Sequence, residues 1–258
     1  MEKSANIFRF KRFDVINERS AMKVNTDGVL LGALMTIEPS DRHILDIGTG
    51  TGTIALMAAQ RLTEISSGSD IAIHAIDIDE PSATEAAENF RNSPWGDILH
   101  AHHTSLDDFA AYLQNGISPS DRDDVATFDL ICSNPPYFDN DLQAPEQRRT
   151  AARHTSTGLS YREILDFAAE QLAPEGRVVM VLPADTEHEL TRHARMRGLY
   201  LYKITRIRTV PRKAPKLIVA EFSRSRAESP ADTILTIHAD GKYTEEYLGV
   251  TKEFYLFA

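Results

Sequence analysis

Ile44-Leu45-Asp46-Ile47-Gly48-Thr49-Gly50-Thr51-Gly52 runs from a short apolar stretch into the helical pattern of Thr53 to Leu62. Glycine at alternate positions lets the backbone pass close to a ligand, because no side chain stands in the way. A strand that ends in such a turn and continues as a helix opens a crossover unit, with a nucleotide-like cofactor over the turn. A dinucleotide fingerprint wants its third glycine three residues after the second, but position 53 is Thr and the third glycine is Gly52.

Outward from the turn, β-rich apolar runs alternate with longer amphipathic stretches, the signature of an α/β fold with a parallel sheet. Strands are expected at His43 to Ile47, Ile71 to Asp77, Ile98 to His102, Phe128 to Ser133, Gly176 to Leu182, Leu199 to Arg208 and Lys216 to Ser223. Helices are expected at Thr53 to Leu62, Pro81 to Arg91, Ser105 to Gln114, Ser160 to Leu172 and Asp185 to Arg197, with Gly176 following a helix end. Only a short stretch with Pro211 and Pro215 separates the last two strands, which predicts an antiparallel pair closing one sheet edge. Ile234 to His238 offers a further strand and Tyr243 to Tyr255 a final helix. Residues 1–42 form an N-terminal lid, in which Thr26-Asp27 caps a helix with the apolar face Val29, Leu30, Ala33, Leu34 and Ile37. Residues 43–258 form the main domain.

The second strand ends Ile76-Asp77-Ile78-Asp79, where a carboxylate can accept hydrogen bonds from two ribose hydroxyls. Asp77 is assigned that role, and Asp79 that of N-cap for the helix at Pro81. Gly48, Gly50 and Gly52, preceded by Asp46, resemble motif I of class I methyltransferases. The resemblance implies a Rossmann-like fold with a seven-stranded, mostly parallel sheet, an antiparallel edge strand and helices on both faces. It also implies S-adenosylmethionine as cofactor, with Asp46 meeting its amino-acid moiety directly or through water. Such enzymes often place an Asp at the end of the third strand to read the adenine amine; this chain has Ser105 there, which can still hydrogen-bond.

Asn134-Pro135-Pro136-Tyr137 falls where the buried strand Phe128 to Ser133 ends, beside the cofactor crevice of an open sheet. Two prolines stiffen the loop and aim its carbonyls. The Asn134 amide oxygen and the Pro135 carbonyl can each accept one hydrogen of an NH2 group, while Tyr137 offers a face on which a planar substrate stacks. A conjugated amine is a poor nucleophile; holding both hydrogens turns its lone pair toward a sulfonium methyl, so catalysis is positioning and electrostatics. Alone, the four residues would read as a surface turn; behind the glycine turn and ribose acid they read as a reacting site. Cys132, the single cysteine, reads as a core thiol, and His100, His102 and His103 lack the companions of a metal site. No metal is expected.

The net charge of −10 argues against nucleic-acid binding by the whole surface. Its distribution is uneven: Thr191 to Lys216 holds nine basic residues and no acidic one, including Arg206, Arg208, Arg212 and Lys213. Arg148, Arg149 and Arg153 form a second cluster, and Lys3, Arg9, Lys11, Arg12, Arg19 and Lys23 a third. Together they would give an acidic protein a basic face; scattered, they would be solvated charges. No run reaches the roughly 20 apolar residues of a membrane span, and no signal peptide is evident, so a cytoplasmic protein is expected.

Phe8-Arg9-Phe10-Lys11-Arg12-Phe13, then Ala21-Met22-Lys23-Val24-Asn25-Thr26-Asp27-Gly28-Val29-Leu30-Leu31-Gly32, resemble the N-terminal signature of bacterial tRNA1(Val) adenine N6-methyltransferases. Asn92-Ser93-Pro94-Trp95, the Arg148 to Thr155 stretch and the terminal Phe254-Tyr255-Leu256-Phe257 resemble that group too. The resemblance implies methylation of the adenosine immediately 3′ of the anticodon of a valine tRNA; a monomer that binds the anticodon stem-loop, and neither DNA nor membrane, is expected. It implies that Lys23, Thr26 and Asp27 help close the cofactor pocket. An anticodon-loop base is already partly unpaired, which lowers the cost of swinging it into a site. Release-factor glutamine N5-methyltransferases share the Asn-Pro-Pro-Tyr chemistry, but carry a helical domain for which 42 residues are too few. DNA adenine methyltransferases need a recognition insertion that is absent, and a noncatalytic RNA-binding module would not require Asp46, Asp77 and Asn134 together.

Overall fold

The computed structural model describes residues 6–66, 70–115, 127–136 and 159–258. Eight strands make one sheet: β3 (His43–Ile47), β4 (Ala72–Asp77), β5 (Leu99–His103), β6 (Phe128–Ser133), β7 (Leu172–Pro183), β8 (Tyr200–Arg208), β9 (Leu217–Ser223) and β10 (Ala231–Thr236). Their spatial order is β10-β8-β9-β7-β6-β3-β4-β5. All neighbours are parallel except at β9, which is antiparallel to both β7 and β8. The expected class of fold is seen, with two differences in detail. The further strand expected from Ile234 to His238 does form, but it runs from Ala231, paired with Lys203, to Thr236, paired with Arg208, so β10 covers the edge that β8 would otherwise leave open. The antiparallel strand consequently lies inside the sheet and not at its edge.

Strand alternation sends Ile44, Ile73 and Ala75 into one apolar layer and Leu45, Ile47 and Ile76 into the other. The first layer is covered by α1 (Thr26–Leu34), α2 (Thr53–Ile65) and α3 (Glu80–Arg91), the second by α4 (Leu106–Gln114), α5 (Tyr161–Gln171) and α6 (Glu187–Met196). Strand order reverses between β3 and β6, which opens the crevice at the carboxyl ends of those two strands. Gly176 lies within β7, where a Cβ would meet the Phe128 carbonyl oxygen at 2.7 Å; it permits the irregular β6–β7 register near Phe128 and does not terminate a helix. β7 starts at Leu172, directly after α5.

A hairpin of β1 (Ile7–Arg9) and β2 (Asp14–Ile16) precedes α1, a feature the sequence pattern did not suggest. The hairpin β11 (His238–Ala239) with β12 (Lys242–Tyr243), then α7 (Glu245–Thr251), ends the chain. Asn25, not Thr26 or Asp27, is the N-cap of α1, its side chain accepting from Gly28 N at 2.8 Å. Val29, Leu30 and Leu31 are fully buried, and a Cβ on Gly32 would meet Met57 of α2 at 2.6 Å, so α1 is a core helix packed close on α2. Its last carbonyls receive Lys203 Nζ (to Leu34 O, 2.7 Å) and Arg61 (to Gly32 O, 2.9 Å, and Met35 O, 2.8 Å), cations that suit a helix C-terminus. Beside them Arg177 donates to Asp41 at 2.6 Å, both side chains being almost wholly buried.

Removing one partner of a buried ion pair strands the other charge. Arg177→Met is expected to cost about 3–5 kcal/mol in denaturant unfolding at neutral pH. Burial already holds the Asp41 carboxyl above its ordinary range, so the loss should shrink as the pH falls and that carboxyl takes up its proton.

Candidate active site

The glycine turn is built from left-handed backbone: φ is +72° at Gly48, +57° at Gly50 and +81° at Gly52. Side chains are disfavoured there, and at Gly52 a Cβ would also meet the Phe90 ring at 2.5 Å. Gly48 N and Thr49 N both donate to Ile76 O, at 2.9 and 3.0 Å, which fastens the turn to the end of β4. Gly52 is the N-cap of α2 with no side-chain cap bond, so the helix's first turn presents its amide end to the crevice.

Asp46 lies beneath this turn, with no exposed surface. Its Oδ2 accepts from Thr49 Oγ1 at 2.6 Å, the Ala55 amide donates to it, and Cys132 Sγ stands 3.8 Å from Oδ1. Burial outweighs these donors and pushes its pKa up to about 7. Asp46 is therefore an internal anchor of the turn in this conformation, and Cys132 is a buried thiol facing it.

Asp77 ends β4 with Oδ2 accepting from Gly50 N at 2.8 Å and Oδ1 from Asp79 N at 2.9 Å; burial, the larger effect, holds its pKa above the ordinary value. Asp79 caps α3 by accepting from Ser82 N at 3.0 Å. Ile78, between the two acids, is 72% exposed, an apolar side chain left uncovered beside Asp77. Ser105 caps α4: its Oγ accepts from Asp108 N at 3.0 Å and donates to Asp108 Oδ2 at 2.7 Å. His103 Nε2 lies 3.1 Å from Ile78 O.

Asn134 follows β6, whose Ser133 donates its hydroxyl to Ile47 O at 2.7 Å across the switch point. It is 6% exposed, Pro135 is buried and Pro136 exposed. The Asn134 amide nitrogen donates to Met22 Sδ at 3.7 Å, and a Cβ on Gly28 of α1 would stand 3.8 Å from that nitrogen. The strap Ser20 to Asn25 thus lies over both the glycine turn and Asn134. Met22, Lys23, Val24, Asn25, Gly48 to Thr51 and Asn134 line a small pocket of about 30 Å³ that is open on one side. Lys23 Nζ is engaged within the strap, donating to Glu18 O at 2.7 Å, while Thr26 and Asp27 begin α1 beside it.

Three residues of α3 that sequence reasoning overlooked hold the strap. Buried Glu85 accepts from the amides of Glu18 (2.9 Å), Arg19 (2.6 Å) and Ser20 (3.2 Å). Asn89 accepts from Ile16 N at 2.7 Å and donates to Thr51 O at 2.9 Å, so it joins the strap to the glycine turn. Ser82 donates its hydroxyl to Asp79 Oδ2 at 2.7 Å, and its Oγ lies 3.0 Å from Ser20 Oγ. Their spacing of three and four residues puts all of them on one helix face, a polar stripe where an apolar one would be usual; that inversion is the readable signal.

Tyr137, Arg148, Arg149 and Arg153 lie outside the described residues. Arg206 is held by Glu187 at 2.5 Å and by Asp232. Arg208 donates to Thr236 Oγ1 at 2.8 Å and Pro211 O at 3.0 Å, bracing the β8–β9 loop. Arg212, Lys213 and Lys216 on that loop are exposed and form no ion pair with a described residue. His74 joins the histidines noticed in the sequence: its Nδ1 is 3.0 Å from His102 Nε2, and burial lowers the two pKa values to about 3 and about 4. Among the described residues no group of His, Cys, Asp or Glu is placed to hold a metal ion, and no helix is long and apolar enough to cross a membrane.

The folded Asp46 keeps its proton to about pH 7, whereas the unfolded carboxyl loses it near the ordinary 3.8. Between those values the folded chain binds more protons, so this group's contribution to stability falls as the pH rises. Relative to wild type, Asp46→Asn should gain stability steadily from pH 4 to 7 and no further above it, as measured by urea midpoints; a pH-independent difference would contradict this assignment.

Residues 20–200 match the family model described as Methyltransferase small domain. The chain is 39% identical over 250 residues to the tRNA1(Val) (adenine(37)-N6)-methyltransferase of Parabacteroides distasonis, covering 96% of this chain and 97% of that protein. It is 40% identical to the protein of the same name from Porphyromonas gingivalis, covering 97% and 95%. Among solved structures, a predicted O-methyltransferase from Agrobacterium tumefaciens superposes with a TM-score of 0.62 at 16% identity, over 88% of this chain and 96% of that one. The 16S rRNA N2 G1207 methyltransferase of T. thermophilus gives 0.52 at 17%, over 86% and 52%. These two share the fold. The family model over residues 20–200 and near full-length kinship at 39–40% identity place the chain in the tRNA1(Val) (adenine(37)-N6)-methyltransferase family.

Proposed function

We propose that the protein transfers a methyl group from S-adenosylmethionine to the exocyclic N6 of an adenosine in tRNA, the one next to the anticodon of a valine tRNA. The observation that carries the chemistry is Asn134, held by β6 within reach of the strap and the glycine turn and followed by a buried proline. The family's names carry the choice of substrate. S-adenosylmethionine, when bound, supplies an electrophilic methyl on a sulfonium. The left-handed glycines and the amide end of α2 suit its methionyl part, Asp77 its ribose hydroxyls, and exposed Ile78 one face of its adenine. Ser105, already a cap, keeps one lone pair for the adenine amine. Lys23, Thr26 and Asp27 border the methionyl end.

Asn134 Oδ1 and the Pro135 carbonyl each accept one N6 hydrogen, which pulls the amine from planarity and aims its lone pair. Tyr137 stacks on the base. The nitrogen loses one proton after transfer, and no base is needed to create the nucleophile. In phosphate binding, Arg206 and Arg208 are engaged within the fold, so the footprint centres on Arg212 and Lys213, with Arg148, Arg149 and Arg153 as further candidates. A cytoplasmic monomer acting on the anticodon stem-loop completes the reading.

Incubation with labelled S-adenosylmethionine and unmodified tRNA, followed by digestion, should yield N6-methyladenosine; any other product sinks the assignment. Asn134→Ala is expected to lower kcat by about 10²–10³ while cofactor affinity changes little, by analogy with loss of one positioned hydrogen-bonding group at a reacting centre. Arg212→Glu with Lys213→Glu should weaken tRNA binding at low salt and flatten its salt dependence. Arg206→Glu should instead lower thermal stability, since it opposes Glu187 and Asp232.

A further inference from the structure

The end of the chain carries a row of rings that the active site does not use. Tyr255 (7% exposed) stacks on Phe257 with centroids 4.8 Å apart, Phe257 on Tyr243 at 5.2 Å and 13° between planes, and Tyr243 on His238 at 4.7 Å. The inner end is anchored in the core, but Phe257 is 57% and Tyr243 42% exposed. Rings held nearly parallel and left facing solvent forgo burial, and they are already ordered for a flat partner.

Their position gives the partner its chemistry. His238 N donates to Thr209 O at 2.9 Å, so the aromatic step abuts the β8–β9 loop with Arg212, Lys213 and Lys216. That loop is firmly built: Lys213 N donates to Val210 O (3.0 Å), Lys216 N to Ile207 O (2.9 Å), and Arg208 ties it to Thr236 and Pro211. It stands at the carboxyl end of β8, the sheet edge that also bears Asn134. Four strand spacings of about 4.8 Å, roughly 20 Å, separate β6 from β10, and the cationic β8–β9 loop lies between the carboxyl ends of the two. Cations between a reacting site and an aromatic platform are the elements of a single-stranded nucleic-acid track. Asp240, Glu245 and Glu246 flank Tyr243 in the sequence, which favours contact through ring faces at the step and leaves the phosphates to Arg212 and Lys213.

We propose that Tyr243 and Phe257 form a second stacking platform, which receives an unpaired base of the substrate RNA away from the methylated one. The inference rests on the proposed function for the identity of the RNA, but its test does not require turnover.

The decisive measurement is direct binding of unmodified tRNA to the full chain by filter retention, with S-adenosylhomocysteine binding as control. Tyr243→Ala with Phe257→Ala should weaken tRNA binding about tenfold or more and spare the cofactor analogue; Tyr243→Phe with Phe257→Tyr should restore it. Phe257→Ala alone, which removes an exposed ring, should give a smaller loss and serves if the double variant misfolds. Unchanged tRNA affinity in a folded variant would overturn the proposal, as would equal loss of cofactor binding or conversion of a wild-type dimer to monomers in sedimentation. Should wild type bind tRNA yet form no N6-methyladenosine, the proposed reaction fails while the platform is still decided by these affinities.

Discussion

A carboxylate with no exposed surface cannot be an idle feature of a strand. Asp46 sits where β3 becomes the glycine turn, and its donors come from three directions: Thr49 in the turn, the Ala55 amide in α2 and Cys132 in β6. One buried group thereby ties together the strand, the helix it feeds and the neighbour that carries Asn134. Every later element of the site inherits its position from that junction: Gly50 reaches Asp77 because the turn is held down, and Asn134 faces the turn because β6 lies beside β3.

The local parts of this arrangement were readable in the sequence because their causes are local. Alternating glycines demand positive φ, a carboxylate before Pro81 caps a helix, and a stiff pair of prolines after a buried strand marks a turn. What escaped depends on pairings between distant segments. Glu85 and Asn89 meet the strap only because α3 packs along it, and nothing near either residue announces that partner. Within residues 1–42, α1 belongs to the core, and Met22 to Asn25 with Gly28 line the crevice.

Charge shows the same divide. The nine-cation stretch is real as sequence, yet Lys203 is taken by Glu221, Arg197 by Asp166, Arg192 by Glu189 and Arg206 by Glu187 and Asp232. Acidic residues from outside the stretch neutralise it, so composition overstated the basic surface. Of the cations left without an ion pair among the described residues, Arg212, Lys213 and Lys216 share the exposed β8–β9 loop, while Arg195 stands apart on α6. Arg208, which seemed part of the footprint, contributes by fixing the loop's shape.

Placing β9 between β7 and β8 has a consequence for how the chain is made. During synthesis the strands that bear the glycine turn, the ribose acid and Asn134 emerge first and pair with their neighbours in the order β3, β4, β5, β6, β7. β8 then has no place in the sheet until Leu217–Ser223 has followed it, and β10 has none until β8 is seated. The outer half must therefore close in a late, long-range step, of the kind that slows folding and leaves an apolar edge exposed to other chains meanwhile. The half that bears the glycine turn, Asp77 and Asn134 can be assembled before the half that bears the cationic loop exists.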